Sequence, residues 1–387
     1  MLTPDLVRPF TRHESAIVRD HAFRYFERSG DLAPVSADDV FFALDRHGAP
    51  GSLRALSLLP RASWTATGLR RLMELARAPQ EQLLSWHVAR AIAALPLVDV
   101  ASLLDVPAVL KMLPDELVKH LADRVALAEL PLDDAWARLE KHAAALAAGV
   151  PDSLLSELAT RRVVEATARH AGPAADRALA ALERPDGAGY MGVLATQVLG
   201  ALREPRALPA LLRVLEAEES ELVAMEATRA LGRLGTADVV AALDAAAIKA
   251  EPDSQVWLHG LAALGMIKLP ASEALAARRL AGTSVEHEGA RLTLALSLVE
   301  LGTHDHLPAV LAVADAAGED DLAEEAYACA VMTGHALAGD EALRTRALAH
   351  REAEQRRAEQ LARAVEPKKV GRGWVSSSKK NKKKKRA

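Results

Sequence analysis

Two dipeptides place an imidazole beside a carboxylate, His13-Glu14 and His287-Glu288, and the stretch "THDH" at 303–306 sets His304, Asp305 and His306 in a row. Imidazole nitrogen and carboxylate oxygen are ligands for transition metals, but a site needs three or four of them converging on one point. A single loop supplies too few, so any third ligand would have to come from a distant part of the chain. Trp136 and Glu140, one helical turn apart, pair an aromatic with an acid. The single cysteine, Cys329, excludes an intramolecular disulfide and a cysteine metal cluster and fits a small apolar packing residue. No glycine-rich phosphate loop follows a strand pattern. These residue types lead to no catalytic assignment, no metal and no cofactor.

The elements that would have to position such residues form a repeat. "ATQVLGALREPRALPALLRVLEA" and "ATRALGRLGTADVVAALDAAA" align on Gly200 and Gly232, and the register continues through Gly265, Val299 and Val331, at intervals of about 33 residues. One residue earlier stand Leu199, Leu231, Leu264, Leu298 and Ala330; five earlier stand Ala195, Ala227, Gly260, Leu294 and Ala326. Offsets of three and four share one helical face. A second apolar column, Leu211, Leu243, Ala276, Val310 and Ala342, follows breakers such as "REPR", "GTAD" and "GTHDH", so each unit reads as helix, turn, helix. The reference glycine costs about 1 kcal/mol in helix propensity, which a close approach of helices or repeats would offset.

This pattern resembles HEAT repeats, in particular the short, phycobilisome-lyase-like type with "E-V-R-x-x-A-x-x-A-L-G-x-L-G-D-P-R-A-v-P-A-L". Residues 190–347 carry five copies, residues 16–31 match the first helix at Val18, Arg19, Ala22, Phe26, Gly30 and Asp31, and residues 86–104 form a weaker copy. The resemblance implies an all-α, right-handed superhelical solenoid of helical hairpins, about ten pairs over residues 10–350, forming an elongated or curved particle. It divides the chain into divergent repeats at 1–189, regular repeats at 190–350, a charged capping helix at 351–366 and a disordered basic tail at 367–387. HEAT-repeat deoxyhypusine hydroxylases resemble the chain in fold and hold di-iron with one His-Glu pair in each of four repeats. Here two such pairs occur, and the positions matching the family's ligands are Leu194, Glu226, His259 and Thr293, which make no symmetric cage. HEAT-like alkylpurine DNA glycosylases use aromatic and acidic residues on a basic face, which suggests comparing Trp136 and Glu140.

Charge separates body from tail. Of 48 basic residues, 38 precede residue 368, against all 52 acids, a net of −14; the tail holds the other ten and no acid. An acidic body repels DNA and steers a basic partner. About 80 alanines and only 3% aromatics are a helix-former's composition, and the Ala and Arg bias points to a bacterial source. No signal-peptide core or membrane-length apolar run occurs, so the expected location is cytoplasmic.

The implied function is a noncatalytic scaffold that binds a protein partner on its concave surface. In such solenoids the second helices line that surface, and the expected contacts are Arg206, Arg213, Asp238, Asp244, Glu273, Arg278, Asp305, His306, Asp315 and Glu341. The tail resembles a SEC-C module at Val370, Gly371, Arg372 and Ser377, but every cysteine is missing and zinc is not implied. It reads as a basic arm in which Trp374, Lys379, Lys380, Lys382, Lys383, Lys384, Lys385 and Arg386 could contact RNA or a ribosome.

Overall fold

A computed structural model describes residues 1–365 apart from 30–33, 78–81, 97–99, 101–114, 150–153, 185–186, 188 and 218. The described residues are all-α and contain no strand. After a short α1 (Pro4–Val7), the helices are α2 (Ala16–Ser29), α3 (Ala37–His47), α4 (Leu53–Leu58), α5 (Ala66–Arg77), α6 (Gln82–Ala93), α7 (Asp115–Ala128) and α8 (Leu132–Ala147). Next come α9 (Leu154–Ala168), α10 (Ala171–Leu182), α11 (Tyr190–Leu202), α12 (Leu208–Ala217), α13 (Glu221–Leu234) and α14 (Ala237–Lys249). An irregular helix over 256–265 precedes α15 (Pro270–Gly282), α16 (Glu288–Leu301), α17 (Leu307–Ala317), α18 (Asp320–Thr333) and α19 (Glu341–Val365).

The repeat register explains these boundaries. In the unit around Gly232, the Ser220 hydroxyl accepts from the Val223 N–H at the start of α13, and the Thr236 hydroxyl accepts from Val239 at the start of α14. Between them Gly235 takes the left-handed conformation (φ 61°) that ends α13. The apolar column Val223, Ala227, Ala230 and Leu231 is buried. The reference glycines serve contact between consecutive repeats. A Cβ on Gly200 would lie 3.2 Å from the Ala230 backbone, one on Gly232 would lie 2.8 Å from Met266 Cβ, and one on Gly265 would strike Glu300.

One repeat departs from α geometry. The first helix of the Gly265 unit is a π-turn over Val256–Gly260 followed by a 3-10 turn over Leu261–Gly265. The neighbouring repeats satisfy two of its carbonyls: Thr228 Oγ1 donates to His259 O at 2.8 Å and Ser297 Oγ donates to Leu261 O at 3.3 Å. The Trp257 indole, donating to Ala247 O and Ala250 O, anchors its start.

First helices form one layer and second helices another. The first-helix layer runs through α2, α4, α6, α7, α9, α11, α13, the 256–265 segment, α16 and α18, each touching the next. The layer then closes, because α18 packs on α2. Of the elongated or curved particle expected from the sequence, the structure has the curvature, carried round to a closed ring. Both ends of the array are apolar and cover each other: Ile17 packs with Ala328 and Ala347, and Met332 joins the cluster of Leu2, Val18 and Phe26. Polar contacts fix the seam. The Leu2 N–H donates to Leu301 O at 3.3 Å, Tyr25 Oη donates to Leu2 O at 3.1 Å, and Arg351 of α19 pairs with Asp20 at 2.9 Å and with Glu324. His21 and Arg24 both meet Glu325, and Arg28 pairs with Glu300 at 2.8 Å.

Candidate functional site

Closure encloses a basin of about 870 Å³ lined from opposite arcs of the ring. Arg24 and Arg28 come from α2, Arg54 from α4, Arg61 from the turn after it, Arg203 from the end of α11, and Arg229 and Arg233 from α13. Four acids share the lining, Glu27, Glu300, Glu319 and Asp321, and Met266, Leu292, Leu296 and Leu322 form its apolar part. The acidic character of the body, expected to steer a basic partner, does not extend to this basin, where among the described residues seven arginines outnumber four acids. Net charge sums over the whole surface, and the basin collects one layer's face.

Several of these arginines are neutralised locally. Arg28 pairs with Glu300, Arg54 with Glu27 at 3.1 Å, Arg24 with Glu325, and Arg229 with Glu226 on its own helix. Burial, and then the Arg54 guanidinium, hold Arg24 below the usual arginine range. Arg61 and Arg203 are exposed and make no ion pair among the described residues. Arg203 is also held in left-handed backbone (φ 50°, ψ 46°), where a side chain is strained. The positions matching it, three after the reference residue, hold Gly235, Gly302 and Gly334 in left-handed backbone, and Lys268 in the irregular unit. Lys268 caps the carbonyls of Gly265 and Glu300 and lies over the Tyr25 ring at 4.5 Å; burial lowers it to about 8.

None of the ten residues expected on the concave surface lines the basin. The basin is lined by first helices and the turns at their ends, with no residue from a second helix among the described lining, so this face of the ring belongs to the first-helix layer. Away from it, most of the ten tie one repeat to another. Arg206 pairs with Asp176 at 2.8 Å, Arg213 with Glu183 at 3.1 Å, Arg278 with Asp244 at 2.7 Å, His306 with Glu273 at 3.7 Å, and Asp315 with Arg346. Burial would raise Asp244, but hydrogen bonds from Arg279 and Arg278 hold it below the usual carboxylate range. Asp305 meets His304 at 3.1 Å, Glu341 meets Arg344 at 3.8 Å on its own helix, and Asp238 is exposed near the start of α14.

The residues singled out for chemistry are apart. His13 Nδ1 accepts from the Ser15 N–H at 3.1 Å, and His287 faces Asp253 at 3.5 Å. Trp136 is buried in the core, its indole donating to Glu140 at 3.1 Å. Cys329 is buried, and burial raises its thiol to about 12. Among the described residues no group of three His, Cys, Asp or Glu is placed to hold a metal ion. No helix among them is long and apolar enough to cross a membrane. Trp374, Lys379, Lys380, Lys382, Lys383, Lys384, Lys385 and Arg386 lie outside the described residues.

Residues 175–256 match the family model for HEAT repeats, from α10 through α14 to the start of the irregular helix. Together with the all-helical array, this match supports a HEAT-repeat protein. No curated protein matches the chain.

Proposed function

We propose that this chain is a noncatalytic protein-binding scaffold whose working surface is the inner face of the closed ring. HEAT repeats generally serve as protein-interaction scaffolds, which makes a protein the expected partner. The observation that carries the reading is the basin itself: Arg61 and Arg203, exposed and without an ion pair among the described residues, share it with the apolar side chains of Leu292 and Leu296. Charged groups beside apolar surface, held on rigid helices, suit recognition of another chain.

Site-specific photo-crosslinking in the native host tests this. A crosslinker at Leu296, inside the ring, should capture a defined protein, whereas one at Ile248 on the second-helix layer, 68% exposed, should not. Capture only from the second-helix layer would refute the inner face as the working surface.

A further inference from the structure

We propose that the basin is a receptor for an acidic partner segment that also carries apolar side chains, an assignment that rests on the reading of the ring as a protein-binding scaffold. Three features of the lining converge on this ligand class. First, Arg61 and Arg203 reach the basin from separate arcs, both exposed and neither matched by an acid among the described residues. A carboxylate between them would complete pairs that the protein leaves open, and the guanidinium fork suits a carboxylate.

Second, Arg203 stands where three other repeats carry left-handed glycine. A side chain there strains the backbone, and glycine would relieve the strain while leaving the fold unchanged. Retaining a charged side chain at a strained position that lines a cavity points to use of the charge. Third, Leu292 and Leu296 lie one turn apart on α16, and with Met266 and Leu322 they make an apolar ledge beside the arginines. Leu296 is 38% exposed. An occupant must therefore offer carboxylates and apolar side chains together.

Other occupants fit less well. Single-stranded nucleic acid binds through aromatic stacking and a continuous basic track. Among the described residues no aromatic lines the basin, and Glu27, Glu300, Glu319 and Asp321 interrupt the arginines. The chain's own tail, with ten basic residues and no acid, has the wrong charge.

The test uses the full-length chain and fluorescence anisotropy with a labelled peptide of Glu and Leu. The comparison probes are the same peptide with Lys replacing Glu, and an oligouridylate. The acidic peptide should bind, and the double variant Arg61→Glu/Arg203→Glu should weaken binding by about tenfold or more. The basic tail contributes equally to each protein, so the difference between variants reports the basin. Arg203→Gly guards against misfolding: it should weaken the peptide while leaving the melting temperature unchanged or higher. The second-helix variant Arg213→Glu should bind like the original chain. Equal binding by the double variant, or tighter basin-dependent binding of the Lys peptide or the oligouridylate, overturns the assignment. A partner crosslinked through Leu296 without binding of the acidic peptide also overturns it, while the scaffold reading stands.

Discussion

The seam that closes the ring can be weighed with two glycines in the same backbone state. Gly302 ends α16 at φ +68° and Gly334 ends α18 at φ +66°. A Cβ on Gly334 meets nothing within 4 Å, whereas a Cβ on Gly302 would lie 2.5–2.7 Å from Cδ1, Cγ and Cβ of Leu2. Gly334→Ala should thus cost only the left-handed strain, about 1 kcal/mol. Gly302→Ala carries the same strain and must also displace Leu2, which is 4% exposed. Losing that burial costs about 2 kcal/mol, and the Leu2 N–H to Leu301 bond adds about 1 kcal/mol. The two variants should therefore differ by about 2–3 kcal/mol. Native-state hydrogen exchange suits the measurement, since repeat arrays open locally. Faster exchange in α2 and α18 is expected for Gly302→Ala and not for Gly334→Ala. Equal losses would show that the N-terminal residues do not hold the ring shut.

Three further outcomes follow from burial and packing. Burial, and then the Arg162 and Arg124 charges, hold His120 at about 4 against an ordinary 6.5, so between those values the unfolded chain binds the extra proton. His120 should make stability fall as pH drops from about 6.5 towards 4, by up to about 1.4 kcal/mol per unit, in addition to the share of buried His21, which is held at about 3, and His120→Asn should make the slope in urea titrations shallower by that amount; an unchanged slope would sink the assignment. Leu231 is fully buried, so Leu231→Asp should raise exchange in α11, α13 and the 256–265 segment before α6 and α7, and uniform loss around the ring would contradict local coupling. Gly232→Val should push on Met266 and destabilise by about 1–3 kcal/mol, whereas Gly172→Ala, with open space around it, should be near neutral; equal effects would contradict the proposed role of the reference glycine.

The helical hairpin and its register were legible because they depend on neighbours in sequence. Gly200, Gly232 and Gly265 recur at a fixed interval since each must admit the next repeat, and that demand repeats with the unit. Which layer faces inward was not legible. Both helices of a hairpin bury an apolar column against each other, so periodicity marks the seam between layers and is silent on curvature. Arg206, Arg213 and Arg278 consequently looked like groove residues, and the structure pairs each with an acid of a neighbouring repeat, away from the basin. The basin was hidden for a related reason: Arg61 and Arg203 lie in units far apart in the chain, and only closure brings them to one cavity. One signal was available. Reading the column three residues after the reference shows glycine at 235, 302 and 334 against Arg203, a local cost that packing does not explain.

An open array leaves an apolar face at each end and needs polar caps. The charged stretch at 351–366 looked like such a cap, yet Arg351 within α19 is drawn into the seam by Asp20 and Glu324. Each end of the described array serves as the other's cap, and the closed layer then fixes the distance between the arcs that carry Arg61 and Arg203. Ordering of those arcs is completed on folding, so a ligand bridging them has little left to order when it binds. It follows that loosening the seam should weaken the basin at a distance. Gly302 does not line the basin, yet Gly302→Ala should reduce binding of the acidic peptide along with seam protection, and Gly334→Ala should reduce neither. Restoring the seam offers an independent check: a Leu2→Gly change on the Gly302→Ala background removes all three Leu2 atoms that collide, and peptide binding should recover in step with exchange protection in α2. Peptide affinity that stays constant while exchange shows α2 released from α18 would break the link between closure and recognition.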